Sequence, residues 1–363
     1  MGVAPGGPPG RVVRAWARAA RIRCHGTTVT ELYHGTGAME LRKDPITRSW
    51  VVIGKGEEQS PAAGTCRLCL AQEDRTQTIL SLPAEGPWQV RAIPHFDPLY
   101  RIEGELERTA EGIYDRMKLV GAHEVIIETP DHGRTLAELS DEEIDRVLLA
   151  FSLRIDDLKR DKRFKYVTVF KNSGSLAGEE WSHSHSQLIA TTFVPRRVLY
   201  ELRSAREWFR QRERCVFCDI VRQEQRQGKR IVDGEGAFLA FCPYASRVPF
   251  ETWVMGTSHN SRFEIPDPAA NRRDLAALLG RTLRRLVRVA PAYHMVIHTS
   301  PSERQTKGEL SDYWRTISDD YHWHIEILPI LSINNKPYGI KEAYFNPLDP
   351  EIAAARLRDL DPS

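Results

Sequence analysis

The sequence predicts an α+β protein built from two consecutive, similar units. One histidine and cysteine pattern occurs twice along the 363 residues. Strand-like and helix-like segments also follow each other in one order, strands, then a helix, then a strand, and this order repeats. With 41% hydrophobic and 28% charged residues, a chain of this length can form two cores of ordinary size. We therefore expect two units whose sheets are covered by helices.

The repeated pattern consists of a C-x-x-C pair, one separate histidine and an H-x-H pair. The first copy contains Cys66, Cys69, His132, His183 and His185, and the second contains Cys215, Cys218, His259, His322 and His324. Two thiolates and two imidazoles are the ligand set of a closed, tetrahedral zinc site, and each copy leaves one histidine of its H-x-H pair unused. A redox or coincidental C-x-x-C is the alternative interpretation. The repetition favours two metal sites.

Apolar runs with strand-like composition predict strands at residues 50–53, 123–127, 166–170, 237–241, 252–255, 293–297 and 324–331. A helix is predicted over residues 140–160, because Ser140 and Glu143 form a capping box and an apolar stripe follows at helical spacing. Leucines at the same spacing predict a second helix over 267–289, and a third is expected over 350–360. The polar, charged stretch 203–230 is expected to connect the two units.

The domain organisation follows from the repeat and from the unusual start of the chain. Residues 1–30 contain no Asp or Glu but five arginines, so this part could be a transit peptide, an unstructured tail or the product of an upstream start codon chosen in error before Met39. We expect residues 1–38 to be a disordered or non-native extension. The first unit is expected over residues 39–205 and the second over 206–363.

The overall charge and cysteine content exclude several classes of partner. The 51 basic and 49 acidic residues leave a net charge of only +2, which gives no footprint for nucleic acid or an anionic membrane surface. No apolar run approaches the roughly 18 residues of a membrane span. Four of the six cysteines lie in the C-x-x-C pairs, which suggests a reducing compartment, and we expect a cytoplasmic protein.

A glycine-containing segment precedes the first H-x-H pair. Phe170 ends a predicted strand, and Asn172, Gly174 and Gly178 follow it. Glycines after a strand let backbone amides approach a phosphate, and an amide side chain can hold a phosphate or a ribose, although Asn172 could merely stabilise a turn. These four residues are the candidate substrate-binding residues.

His185 is the candidate nucleophile. On an extended chain His183 and His185 point to the same face, so one can bind metal while the other faces substrate. A neutral imidazole can attack phosphorus to form a nucleotidyl-histidine, and Gln187 can donate an amide N–H to a phosphoryl oxygen. This mechanism requires that His185 be exposed, free of metal and beside a phosphate-sized hollow; a purely structural histidine is the alternative.

These residues resemble the galactose-1-phosphate uridylyltransferase and ADP-glucose phosphorylase family. The matching segments, in consistent order from about residue 39 to 360, are residues 41–47, the C-x-x-C at Cys66, Thr129-Pro130-Asp131-His132, residues 170–187 and His322-Trp323-His324. The resemblance implies two histidine-triad-like halves with antiparallel sheets covered by helices, and covalent catalysis by His185 assisted by Gln187. It also implies zinc at Cys66, Cys69, His132 and His183, and a second site, zinc or possibly iron, at Cys215, Cys218, His259 and His322. A homodimer is common in such a family, and His298 is a reserve metal ligand.

The chain departs from the family pattern at positions that contact substrate. Ser184 stands where uridylyltransferases usually have Pro, which is closer to the ADP-glucose phosphorylase branch. Residues 55–61 lack the expected arginines, Glu180 replaces a small hydroxyl residue that contacts phosphate, and Tyr338 aligns with a sugar-binding glutamate. Each lost charge-assisted bond removes about 1.5–3 kcal/mol. We therefore expect the acceptor of the nucleotidyl group to differ from that of strict galactose-1-phosphate exchange.

Three functions are consistent with the sequence. The first is a nucleotidyltransferase that acts on a nucleotide sugar and a sugar 1-phosphate through a nucleotidyl-histidine. The second is an ADP-glucose-type phosphorylase or hydrolase, with inorganic phosphate or water as acceptor. The third is a zinc-stabilised nucleotide-binding protein without turnover. In the second half we expect His324 to be structural, because Glu326 would repel a phosphate where Gln187 would attract it.

Overall fold

The computed structural model describes residues 23–24, 27–28, 39–54, 66–70, 77–265, 271–302, 315–331 and 344–362. The predicted extension 1–38 lies outside these residues except for two short strands, β1 (Arg23–Cys24) and β2 (Thr27–Thr28). The substrate-contacting differences expected at residues 55–61 and at Tyr338 also lie outside them.

Fourteen further strands are described. In the first half they are β3 (Glu40–Lys43), β4 (Trp50–Ile53), β5 (Leu80–Leu82), β6 (Val90–Pro94), β7 (Thr109–Glu111), β8 (Tyr114–Lys118), β9 (Gly121–Ile127), β10 (Tyr166–Ser173) and β11 (His185–Thr191). In the second half they are β12 (Ile231–Glu235), β13 (Phe238–Phe241), β14 (Thr252–Gly256), β15 (Ala292–His298) and β16 (His324–Ile330).

The described helices are fewer. They are α1 (Arg67–Leu70), α2 (Asp141–Lys159), α3 (Arg196–Arg212), α4 (Val216–Gln227), α5 (Arg272–Leu286), α6 (Ile317–Asp320) and α7 (Pro350–Asp359). Two 3₁₀ turns lie at Leu136–Glu138 and Ser175–Ala177. None of the helices within the described residues combines the length and the apolar character needed to cross a bilayer.

One ten-stranded sheet contains strands of both halves in the order β12-β13-β14-β16-β15-β10-β11-β9-β6-β5. All of its pairings are antiparallel, and the halves join where β10 pairs with β15. Around this junction, β9-β11-β10 of one half mirrors β14-β16-β15 of the other. The predicted α+β fold with antiparallel sheets is confirmed, with the difference that the halves share one sheet. A second sheet, β4-β3-β8-β7, lies beside the first half.

The helices α2 and α5 cover one face of the large sheet and form the main core with it. In α2, Ser140 caps the helix and forms the predicted box with Glu143, and the apolar stripe is fully buried. In α5, Gly280 lies where an added Cβ would be 2.9 Å from Ile144 Cδ1 of α2. The two helices therefore pack in close contact at this point.

Two element predictions differ from the structure. Helix α5 is described from Arg272, where the side chain of Asn271 caps it by accepting from the Arg273 backbone N–H, and the predicted residues 267–270 lie outside the described residues. The predicted connector 203–230 forms most of α3 and α4, each amphipathic and packed through a few buried residues such as Leu202 and Val221. The expected division between residues 205 and 206 falls inside α3, and the two units 39–205 and 206–363 stay a prediction.

Candidate active site and metal centres

The first predicted metal cluster is assembled by three separate segments. Donor atoms of Cys66, Cys69, His132 and His183 all lie within 4.8 Å of one another. The Sγ of Cys69 is 3.3 Å from the Nδ1 atoms of both histidines. The Nε2–H of His183 donates to the Thr129 carbonyl at 2.8 Å, which turns Nδ1 toward the thiolates.

The second cluster repeats this arrangement. Donor atoms of Cys215, Cys218, His259 and His322 lie within 4.8 Å of one another. Cys218 Sγ is 3.3 Å from His259 Nδ1 and 3.5 Å from His322 Nδ1, and His259 Nε2 donates to the Ser318 carbonyl at 2.8 Å. Hydrogen bonding with Cys215, opposed by burial and supported by the two histidines, lowers the pKa of Cys218 to about 3.

Both clusters therefore fit a closed tetrahedral ion. Each offers two sulfur and two imidazole nitrogen donors, and in each at least one ligand histidine is oriented by a backbone carbonyl, as bound histidines usually are. The structure brings together every residue of the two predicted sets. Zinc as the bound metal, and iron as an alternative for the second site, stay predictions.

His185 lies outside the first cluster, at the start of β11. Its Nδ1–H donates to the His183 carbonyl at 2.8 Å, so the lone pair is on Nε2. Burial and the nearby Lys171 charge lower its pKa, which keeps the ring neutral at neutral pH. However, the residue is only 2% exposed and its ring centroid is 5.0 Å from that of Trp181. The expectation of an exposed ring is thus wrong.

A buried charge cluster fixes the backbone of His185 from the opposite face of the sheet. The Nζ of Lys171 donates to Glu128 Oε2 at 2.8 Å, to the His185 carbonyl at 2.9 Å and to Ser184 Oγ at 3.3 Å. The hydroxyls of Ser184 and Ser186 donate to the same carboxylate at 2.5 and 2.6 Å. Ser184 is therefore part of a hydrogen-bonded cluster that holds the strand on both sides of His185. The sequence reasoning missed this cluster.

A second network missed by the sequence reasoning orients Gln187. The backbone N–H of Leu99 donates to His123 Nδ1, so the Nε2–H of His123 donates to Gln187 Oε1 at 2.9 Å. The amide of Gln187 then donates to Glu180 Oε2 at 3.2 Å. The ring of His95 stacks on His123 with centroids 3.9 Å apart. The sequence signal was the alternation along β9, which places His123 on the same face as Val125, the residue opposite Gln187.

Strand pairing places the remaining candidates on the same face as His185. Phe170 lies opposite Gln187 in the β10–β11 register, and Asn172 is two residues further along β10. Asn172 Oδ1 is 2.9 Å from His294 Nδ1. At Gly174, with φ of 86°, an added Cβ would lie 2.7 Å from the Pro291 carbonyl oxygen, so packing alone requires this glycine. Gly178, with φ of 70°, ends the short 3₁₀ turn. Substrate contacts of these four residues stay predictions.

A third group of possible ligands, Glu201, His298, His324 and Glu326, lies in the second half. Its charges are already paired, since His298 Nδ1 is 2.9 Å from Glu201 and Arg247 is 2.7 Å from Glu326. His324 is fully buried between aromatic rings, with centroids 4.9 Å from Trp253 and 5.1 Å from Phe217. This arrangement suits a structural histidine, and it leaves His298 in an ion pair.

Comparison with known proteins shows which proteins this chain is similar to. Residues 100–195 match the family model of the galactose-1-phosphate uridyl transferase N-terminal domain. ADP-glucose phosphorylase of Arabidopsis thaliana is 29% identical over 341 residues, 88% of this chain and 93% of that protein. Galactose-1-phosphate uridylyltransferase of Thermotoga maritima is 23% identical over 89% of this chain and 99% of that protein.

Two solved structures resemble the fold of this chain over both of its halves. The Arabidopsis thaliana ADP-glucose phosphorylase with bound ADP-glucose is 28% identical, covers 89% of this chain and 100% of its own, and has a TM-score of 0.69. A uridylyltransferase structure is 27% identical over 88% of this chain and 97% of its own, with a TM-score of 0.72.

This chain is similar to the galactose-1-phosphate uridylyltransferases and to an ADP-glucose phosphorylase over most of its length. These relatives are named as transferases and as a phosphorylase, and the similarity indicates an enzyme of the nucleotidyltransferase class. The uridylyltransferase family model matches the segment that contains His132, His183, His185 and Gln187, which are the first-half residues that the structure brings together.

Proposed function

We propose that the protein transfers a nucleotidyl group from a nucleotide sugar to a phosphate-bearing acceptor, a sugar 1-phosphate or inorganic phosphate, through a covalent nucleotidyl-His185. The observation that carries the proposal is the placement of His185: it lies outside the metal cluster, has its lone pair on Nε2 and shares a sheet face with Gln187. A nucleophile, an oriented amide donor and a neutral ring are the groups that such a displacement needs.

In the first half-reaction, Nε2 of His185 attacks the α-phosphorus and the sugar 1-phosphate leaves. The His183 carbonyl, which accepts from Nδ1–H at 2.8 Å, stabilises the positive ring that forms. The Gln187 amide donates to a phosphoryl oxygen, and because it carries no titratable proton it does not compete as an acid. The acceptor then displaces the nucleotidyl group and restores the neutral ring.

The metal sites have a structural role in this proposal. Zinc held by Cys66, Cys69, His132 and His183 would fix the segment that ends at the nucleophile and would supply a closed, four-coordinate anchor without an open position. The second set, Cys215, Cys218, His259 and His322, would do the same for the start of α4 and β16.

A phosphorylase of the ADP-glucose type is the second candidate. It is favoured by Ser184 in place of Pro and by the 29% identity to an ADP-glucose phosphorylase. Transfer to a sugar 1-phosphate and phosphorolysis differ only in the acceptor, since both proceed through the same nucleotidyl-His185. A nucleotide-binding protein without turnover is the third possibility.

Intact-protein mass spectrometry tests the proposal. The protein is mixed with UDP-glucose, ADP-glucose or GDP-glucose at mildly alkaline pH, where a phosphoramidate persists. We expect a gain of one nucleoside monophosphate unit with one of these donors, and loss of that gain on adding the correct acceptor. The His185→Gly variant, with unchanged metal content and unfolding transition, should gain nothing. No gain with any donor would contradict the proposal and favour the binding protein.

A further inference from the structure

Glu180 places a carboxylate against the amide of Gln187, which shares a sheet face with His185. Its Oε2 is 3.2 Å from Gln187 Nε2 and 3.1 Å from His95 Nε2. The side chain of Glu180 is 39% exposed, whereas that of His95 is 4% exposed and the whole Gln187 residue 9%. Glu180 is therefore the group of this network that can reach both the buried donors and the solvent.

The hydrogen-bond directions of the network are determined by the backbone. The N–H of Asp97 donates to His95 Nδ1 at 3.1 Å, so the proton of His95 is on Nε2 and is donated to Glu180. His123 holds the oxygen of Gln187, so the Gln187 amide also points its N–H toward Glu180. The carboxylate thus occupies a position served by two N–H donors, where a phosphoryl oxygen could otherwise bind.

The carboxylate is ionised at neutral pH. Burial opposes its charge, but the hydrogen bond from His95 outweighs burial, and the pKa of Glu180 lies below its ordinary value. Its partner Gln187 lies two residues from His185 on the same face of β11. A negative charge at the Gln187 amide disfavours an acceptor that carries a doubly charged phosphate, and leaves a neutral acceptor unaffected.

On the basis of the proposed function, we propose that Glu180 gives this enzyme a further activity, the hydrolysis of nucleotide sugars, by acting as general base for water on the nucleotidyl-His185. Water oxygen forms a bond to the α-phosphorus while Glu180 Oε2 takes one water proton. The bond from phosphorus to Nε2 breaks, and its electron pair returns to Nε2. The products are a nucleoside monophosphate and a neutral His185, and the proton on Glu180 is then lost to solvent.

The geometry supports this role because His95 holds the Glu180 carboxylate in place while the side chain stays accessible to water. His95 anchors one carboxylate oxygen, and the partial exposure of Glu180 lets the carboxylate leave the Gln187 amide when a phosphoryl oxygen takes that donor. A positioned general base contributes typically 10²–10⁴-fold to a proton transfer. Water should therefore compete with phosphate acceptors in this chain.

Partitioning of the isolated nucleotidyl-enzyme tests the inference. The intermediate is formed with a radiolabelled nucleotide sugar, freed of small molecules by gel filtration, and chased with buffer alone, with inorganic phosphate or with glucose 1-phosphate. The variants are Glu180→Gln and Glu180→Ser, and Glu179→Gln is the matched control on the same loop. Folding of each variant is checked by its unfolding midpoint.

We expect hydrolysis in buffer alone to be about 100-fold slower in both Glu180 variants than in the wild type and in Glu179→Gln. The fraction transferred to phosphate or glucose 1-phosphate should rise in the same two variants. If labelled intermediate forms but decays at the same rate with and without Glu180, the inference is wrong and the proposed function stands. If none of the proteins forms the intermediate, the proposed function fails and this inference fails with it.

Discussion

The Nε2–H of His123 donates to Gln187 Oε1 at 2.9 Å and thereby holds the Gln187 amide in one orientation, with its N–H toward Glu180. Desolvation and the neighbouring His95 lower the pKa of His123 to about 4. The ring therefore remains neutral, and its hydrogen bond remains intact, throughout the neutral pH range. An amide held in one orientation can donate to a phosphoryl oxygen without first losing rotational freedom.

Replacing His123 by Ala should slow formation of the nucleotidyl-enzyme about 10-fold, because Gln187 can then rotate and present its oxygen to the phosphoryl group. Rapid-quench measurement with radiolabelled nucleotide sugar gives this rate. The His123→Asn variant retains a donor on a shorter side chain and should recover part of the loss. Equal rates in the wild type and His123→Ala would show that Gln187 needs no orientation by His123.

Removing either C-x-x-C pair should reduce the metal content from two ions to one per chain. Cys66→Ser with Cys69→Ser abolishes two donors of the first cluster, and Cys215→Ser with Cys218→Ser does so in the second. Elemental analysis of purified protein measures the content. The control is Cys242→Ala, a buried cysteine outside both clusters, which should retain two ions. Unchanged content in either double variant would disprove the corresponding site.

The contributions of Lys171 and Glu128 to the unfolding free energy should depend strongly on each other. Lys171→Met leaves the fully buried Glu128 carboxylate with hydroxyl donors only, which should cost about 3–5 kcal/mol of unfolding free energy. Glu128→Gln combined with Lys171→Met should recover part of that loss, since no unpaired charge remains. Chemical denaturation of the single and double variants measures the coupling energy. Additive losses would mean that the two side chains do not interact.

The capping box of α2 should contribute stability that depends on pH. Hydrogen bonding from Arg134, opposed by burial and supported by Ser140, lowers the pKa of Glu143 to about 2. Because the pKa is lower in the folded protein, the stabilisation is fully present above the ordinary value near 4.5 and is lost as pH falls toward 2.

The Glu143→Gln variant should therefore be about 1 kcal/mol less stable than the wild type at pH 7, and this difference should shrink steadily between pH 5 and pH 2. Urea unfolding at several pH values gives the two curves. Glu142→Gln, an exposed carboxylate one residue earlier, is the control and should follow the wild type. A difference that stays constant with pH would contradict the assignment.

The sequence predicted those parts of the molecule that depend on local pattern. Apolar runs with strand-like composition identified β4, β9, β10, β13, β14, β15 and β16, and a capping box with a helical stripe identified α2. The donor pattern also identified both clusters, because four side chains of metal-binding type repeat in the same order. These features are determined by residue type and spacing.

The parts that sequence reasoning missed depend on contacts between distant segments. Pairing of β10 with β15 joins the two halves into one sheet. The alternation of residues along a strand does not show which other strand it will pair with. The stretch 203–230 looked like a connector because its apolar residues are few, although they suffice to pack α3 and α4. His95, His123, Lys171 and Glu128 resembled ordinary residues until the fold placed them around residues 183–187.

The central claim is that His185 carries the nucleotidyl group, and mapping the modified residue tests it most directly. After reaction with the nucleotide sugar that gives a mass gain, the protein is digested at alkaline pH and the peptide that contains residues 183–187 is fragmented. We predict one acid-labile nucleoside monophosphate on His185, absent from the His185→Gly variant while both metal ions remain. Modification at another residue, or an undiminished gain in His185→Gly, would contradict the account.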